Sequence, residues 1–319
     1  MKALKAVYRT LMLGLMAAGI APTARPEIEN CLTDGIDLKI YRRRKEGYPI
    51  VLVHGLTARG YNDRRLDLFS RQLAGCGYTV YVPRIPGLAD FRLTADDVDI
   101  VVRTVHAAMG KRRGRAGIMG FSLGATYGLL AAADGRIKAD LDFVCAAGAY
   151  YSVGGLIENA FRLKERDPYP VLALDKKYTG LLGLSERDRI LFEEIMRDYC
   201  ERKGHFLPEE DELLRRIVSD PAQENIRDMW RADAEAEQMP ELKGYGGFGS
   251  IEAEIMLLHF RDDILVRAED SIKICEELKK AGKDPILYMS RGAEHVDLAR
   301  GSKKGLFHIF CRMNGFAGR

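Results

Sequence analysis

Apolar and polar positions change period along this chain, and the changes mark out its parts. Ile36-Asp-Leu38-Lys-Ile40-Tyr41 alternates, as a half-buried antiparallel strand should. Tyr48-Pro-Ile-Val-Leu-Val-His-Gly55 is nearly continuous in apolar residues, the pattern of a strand covered on both faces. Asn62 to Gly75 has helical spacing, with Leu66, Phe69 and Leu73 on one side. Tyr78 to Val82 predicts the next strand, stopped by Pro83 and Pro86-Gly87. Thr94, with Asp97 three residues on, predicts an N-cap for a helix that runs to about Met109 and turns Val98, Val101, Val102 and Val105 inward. An apolar run at Gly117, Ile118 and Met119 then leads into a small-residue helix, and Leu141 to Ala147 predicts another strand. Strands and helices in strict alternation imply a mainly parallel sheet with helices on both faces.

From about residue 154 to 250 the strand signals stop and helical periodicity takes over. Ser185–Glu201, a segment around Leu213, Leu214, Ile217 and Val218, and a segment from Pro221 to Gln238 holding the single Trp230 predict three helices. Gly244-Tyr-Gly-Gly-Phe-Gly249 predicts a flexible return. The alternation resumes with a strand at Ile255–Phe260, a helix from Val266 to Ala281, a strand at Pro285–Met289 and a helix from Lys303 to about Asn314. The expected organisation is an N-terminal segment at 1–28, an α/β core at 29–153 and 251–319, and a helical cap at 154–250. The fold class is α/β, with a mainly parallel sheet of about eight strands.

Candidate chemistry collects where the predicted strands end, the usual place for sites in such sheets. Gly120-Phe121-Ser122-Leu123-Gly124 puts a serine at a sharp turn from a buried strand into a helix. A serine nucleophile needs a base, an acid to orient the base, and donors for the oxyanion. Among six histidines, His106 and His308 fall in predicted helices, His259 in a strand and His205 between helices. His295 lies just past the last predicted strand and is the favoured base. The preceding strand ends in Arg261-Asp262-Asp263-Ile-Leu-Val266, so the acid is Asp263 by its spacing to Val266, with Asp262 as the alternative. The Leu123 N–H and the Leu56 N–H, after Val53-His54-Gly55, are the candidate oxyanion donors. His54, Gly55, Thr57 and Phe121 are candidates to line the substrate. Arg59, Arg84 and Asp90 fall in loops expected near the pocket, where single charges are normally solvated.

Composition narrows the classes further. A formal net charge of +3, with 30% charged residues, gives no argument for a nucleic-acid partner, and none is expected. Six cysteines at 31, 76, 145, 200, 275 and 311 show no zinc-like spacing, and neither metal nor cofactor is expected. Lys2, Lys5 and Arg9 ahead of the apolar run Leu11–Ile20 give the charge order of a signal peptide, but Pro22 spoils the cleavage site. The alternative is an amphipathic helix with Leu4, Val7, Leu11 and Leu15 on one face, able to touch a membrane surface. A cytoplasmic location is expected, with membrane association or export through residues 1–25 as the alternative.

With His54-Gly55, Gly120-Phe121-Ser122-Leu123-Gly124, Asp263 and His295 in this order, the chain resembles the α/β-hydrolase superfamily from about residue 35 onward. The resemblance implies Ser122 as nucleophile, His295 as general base and Asp263 as orienting acid. It implies hydrolysis of a carboxylic ester on a small acyl substrate, of the carboxylesterase or lipase type, without a cofactor. The same triad also serves acyltransferases and peptidases, and a non-catalytic binding protein can retain the fold. The chain departs from the lipase-type members in one respect, since the loop after His54-Gly55 is Leu-Thr-Ala-Arg rather than a glycine run; serine at the turn argues against dehalogenases and epoxide hydrolases.

Overall fold

A computed structural model describes residues 25–43, 47–110, 115–202, 204–236 and 239–290. The N-terminal segment, the predicted helix at 303–314 and His295 lie outside the described residues. Within them the strands are β1 (Glu27–Thr33), β2 (Ile36–Arg42), β3 (Tyr48–Val53), β4 (Tyr78–Pro83), β5 (Ala116–Phe121), β6 (Leu141–Ala147), β7 (Glu254–Phe260) and β8 (Ile286–Ser290). They form one eight-stranded sheet in the order β1-β2-β4-β3-β5-β6-β7-β8. β2 runs antiparallel to both neighbours, and the pairs from β4–β3 through β7–β8 are parallel.

The central strands are apolar throughout because both sheet faces are covered. Val51, Val53 and Ile118 enter the larger core cluster, while their neighbours Ile50, Leu52 and Met119 enter the cluster on the opposite face. This is the two-residue alternation of a strand with no solvent side. The covering helices are α1 (Arg64–Gly75), the single turn α2 (Pro86–Ala89), α3 (Asp96–Met109), α4 (Leu123–Ala132) and, after the insertion described next, α10 (Ala268–Lys280).

Between β6 and β7 the described residues contain helices only: α5 (Val153–Leu163), α6 (Tyr169–Asp175), α7 (Glu186–Arg202), α8 (Pro208–Val218) and α9 (Gln223–Ala236), with short 3-10 turns at Lys176–Tyr178 and Gly246–Ser250. The larger core cluster runs without a break from Ile118 and Leu123 into Ile157, Leu172, Leu174, Phe192, Ile195 and Trp230. The insertion therefore shares the core of the α/β layer. Among the described residues no helix is long and apolar enough to cross a membrane.

Local details depart from the sequence expectations. β1 is an added edge strand, paired residue for residue with β2 from Glu27↔Arg42 to Thr33↔Ile36. Asp34 and Gly35 join the two strands with φ of 50° and 75°, the left-handed pair that a two-residue hairpin turn requires. Thr94 is not the cap of α3: that position falls to Ala95, and the Asp97 N–H reaches the Thr94 carbonyl at 3.3 Å. Pro86-Gly87, expected only to stop a strand, opens α2 instead. Helices α5 and α6 add to the three that periodicity marked in the insertion.

Candidate active site

β5 is buried until its last residue, and the chain then reverses at Ser122 with φ 54° and ψ −125°. A non-glycine residue in this region carries strain that only a fixed surrounding can hold. The surrounding is tight. A Cβ at Gly120 would lie 2.3 Å from the Gly124 carbonyl oxygen, and one at Gly124 would lie 2.2 Å from the His54 and 2.8 Å from the Val53 carbonyl oxygen. The Ser122 N–H donates to the Ala147 carbonyl at 2.8 Å, which fastens the turn to the end of β6. Ser122 is 8% exposed.

The Gly124 contacts are with main chain on both sides, so no side chain can swing away. Gly124→Ala is therefore expected to cost about 1–3 kcal/mol or more and to displace the end of β3. Gly135→Ala, whose Cβ would meet nothing within 4 Å, is expected to stay near wild type. Urea midpoints of the two variants check this; equal midpoints would count against the packed turn.

The loop after β3 comes directly to the serine: a Cβ on Gly55 would sit 3.1 Å from Ser122 Cβ. His54, expected to line the substrate, is 1% exposed and instead braces this loop from below. Its Nε2 accepts the Ile85 N–H at 3.1 Å, so the ring proton sits on Nδ1 and is donated to the Gly55 carbonyl at 2.8 Å. Burial pushes its pKa down to about 4, which keeps the ring neutral. In a trans peptide C=O and N–H point opposite ways, so turning the Gly55 carbonyl toward His54 turns the Leu56 N–H away from it. Among the described residues that N–H has no backbone acceptor. Leu123 opens α4, where the first N–H groups have no intrahelical partner. Gly55, Leu56 and Phe121 are half-buried, while Thr57 is buried and donates its N–H to Leu88 at 3.3 Å. Phe121 meets Phe69 edge-on at 5.5 Å.

Asp263 and Asp262 differ sharply in setting. Asp262 is exposed. Asp263 is 6% exposed, and its Oδ1 accepts the N–H groups of Leu265 at 2.9 Å and Val266 at 3.1 Å, closing a turn on itself. Its Oδ2 lies 3.5 Å from Nε2 of His259. That histidine is fully buried, with Nε2 donating to the Val266 carbonyl at 2.9 Å and Nδ1 against Ser271 Oγ at 2.6 Å.

Three insertion contacts reach these loops and had no signal in the sequence, because the partners lie far apart along the chain. Tyr169 donates its hydroxyl to the Leu56 carbonyl at 3.0 Å. Asn159 Nδ2 donates to the Ile264 and Leu265 carbonyls, each at 2.7 Å. Arg59, expected to be solvated, is clasped by Asp198 at 2.6 Å and Glu201 at 3.4 Å on α7. Arg84 and Asp90 are exposed, the latter paired with Arg92. Among the described residues no group of three or more His, Cys, Asp or Glu gathers as a metal site.

Comparison with known proteins agrees with this architecture. The chain is similar in structure to brefeldin A esterase, a bacterial homologue of human hormone-sensitive lipase (TM-score 0.57, 18% identity, 98% of this chain and 85% of that one). It is also similar to a bacterial membrane phospholipase A (0.54, 19%, 98% and 92%). A third likeness is to the acylaminoacyl peptidase of Pyrococcus horikoshii (0.54, 14%), where 94% of this chain spans only 42% of the peptidase. Likenesses at these identities speak for the fold alone. No curated protein sequence matches the chain. The profile of the alpha/beta hydrolase family matches residues 50–292, most of the chain from β3 past the end of β8. The chain belongs to the alpha/beta hydrolase family.

Proposed function

We propose that this protein is a serine hydrolase that cleaves a carboxylic ester or a related acyl bond through an acyl-enzyme on Ser122. The observation that carries the reading is the left-handed backbone of Ser122 at a glycine-flanked turn, within van der Waals reach of the Gly55 loop. Strain of this kind persists where it serves a site.

In the proposed reaction the Ser122 hydroxyl oxygen attacks the acyl carbonyl carbon while His295 takes its proton. The carbonyl oxygen, now anionic, accepts from the N–H groups of Leu56 and Leu123. The intermediate collapses, the C–O bond to the alcohol breaks, and the histidine proton leaves with the alcohol. Water then attacks the acyl-enzyme by the same route, releasing the acid and restoring the serine. Asp263 orients the histidine in this reading, its carboxyl group held in place by the two backbone N–H groups on Oδ1. Apolar side chains near the Leu56 loop, among them Ala58, Tyr169 and Tyr199, and the pairing of Arg59 by two carboxylates support an uncharged substrate. The helical insertion, in this reading, is the cap over the site.

Active-site labelling tests the proposal. A fluorescent fluorophosphonate is expected to modify the wild type and to leave Ser122→Ala unmodified. Equal labelling of both, or of neither, would sink it.

A further inference from the structure

The insertion does more than cover the sheet, because one of its side chains makes a directional bond to the loop that carries the Leu56 amide. Leu56 stands between two peptide planes. The first, Gly55–Leu56, is held from the core by the Nδ1–H of His54 on the Gly55 carbonyl. The second, Leu56–Thr57, is held at both ends: its carbonyl accepts the Tyr169 hydroxyl at 3.0 Å, and its N–H donates to Leu88. Fixing both planes fixes the φ and ψ of Leu56, and with them the direction of its N–H.

Tyr169 can serve as such a tie because its own frame is fixed. It is the first residue of α6, and its ring lies 5.0 Å from that of Tyr199, which meets Phe206 at 4.9 Å. The far end of α6 is anchored by the Trp230 indole N–H on the Leu174 carbonyl at 2.9 Å. The neighbouring helix α5 is pinned to the core by Asn159 on the Ile264 and Leu265 carbonyls. Burial pushes the Tyr169 phenol well above its ordinary range, so it remains a donor at any working pH.

We propose that Tyr169 is a positioning residue of the reaction: by holding the Leu56 carbonyl, the insertion aims the Leu56 N–H at the oxyanion. The inference rests on the Ser122 acyl-enzyme reading. An oxyanion donor displaced by a fraction of an ångström loses most in the transition state, where the charge is largest, and little in substrate binding. Tyr169 therefore acts on kcat and leaves KM in place.

The test uses the full chain with p-nitrophenyl butyrate as substrate and an alkyl trifluoromethyl ketone, whose serine adduct carries an oxyanion, as inhibitor. Tyr169→Phe keeps the ring stack and removes only the hydroxyl. It is expected to lower kcat about tenfold with KM within about twofold, and to raise the ketone Ki by the same factor as it lowers kcat/KM. Tyr178→Phe, which removes an insertion hydroxyl bonded to Asp233 and not to the Leu56 loop, is expected to leave kcat and Ki near wild type. Unchanged kcat and Ki in Tyr169→Phe would overturn the proposal. So would a fall in activity matched only by a lower melting temperature, with Ki unaltered, since that is what loss of packing alone produces. Turnover that does not depend on Ser122 in the wild type defeats the catalytic reading itself, and that result is seen before Tyr169 is touched.

Discussion

Asp263→Asn is expected to lower kcat on an activated ester about 10⁴-fold, while Asp262→Asn stays within about twofold of wild type. The two carboxylates are adjacent in sequence, and their surroundings separate them. Asp262 faces solvent, whereas Asp263 is buried with Oδ1 engaged by the Leu265 and Val266 N–H groups. An asparagine can keep those two bonds through its carbonyl oxygen, so the turn survives and the melting temperature moves by only a few degrees. Its amide then stands where Oδ2 was, and a donor there cannot accept the imidazole N–H. The histidine would be held in the wrong tautomer, and the imidazolium formed during attack would lose its counter-charge. Steady-state kinetics with thermal melts on both variants decide the matter. Loss of turnover in Asp262→Asn with Asp263→Asn intact would reverse the assignment.

The largest expected effect on stability lies at Asp175, and its sign depends on pH. Asp175 ends α6 and is fully buried, with the Gln223 amide donating to Oδ2 at 2.9 Å. Among the described residues its Oδ1 and the Gln223 Oε1 have no hydrogen-bond partner. Burial pushes the carboxyl pKa up to about 7; the Gln223 bond works against this, and the charge of Asp220 adds to it. The folded state therefore keeps a proton that the unfolded chain releases near pH 4. Below about pH 4 both states are protonated and the group is neutral in its effect. As pH rises from about 4 to about 7 the unfolded state is favoured, and above about 7 the loss is complete, on the order of 4 kcal/mol. Asp175→Asn keeps the shape and an acceptor for Gln223 but removes the ionisable group. Its melting temperature is expected to exceed wild type by roughly 5–10 °C at pH 8, with the gain fading toward pH 4. A gain independent of pH, or larger in acid, would show that Asp175 is ionised throughout.

The contrast between what could and could not be read from the chain has physical causes in particular residues. β3, β5 and β7 were legible because a strand covered on both faces must be apolar nearly throughout. β1 was not, since as an edge strand it has no buried face: Leu32 is 76% exposed, while Glu27 and Glu29 pair with Arg42 across the hairpin. The Asp34-Gly35 turn was the signal that could have revealed it. His54 shows a different limit. A histidine at a strand end fits a pocket wall as well as a buried brace, and only the Ile85 N–H on its Nε2 separates the two.

The sequence by itself determined the alternation of strands and helices, the helical character of the insertion, and the serine turn at residue 122. These depend on local periodicity and on glycines two residues to either side, so they are written in short stretches of chain. Tertiary structure alone decided that His54 supports the Gly55 loop, that Tyr169 reaches the Leu56 carbonyl and that Asn159 reaches the loop after β7. Those outcomes depend on contacts between residues roughly thirty to more than a hundred positions apart. No local pattern encodes such pairings, because each is fixed by where the sheet and the insertion place two distant backbones.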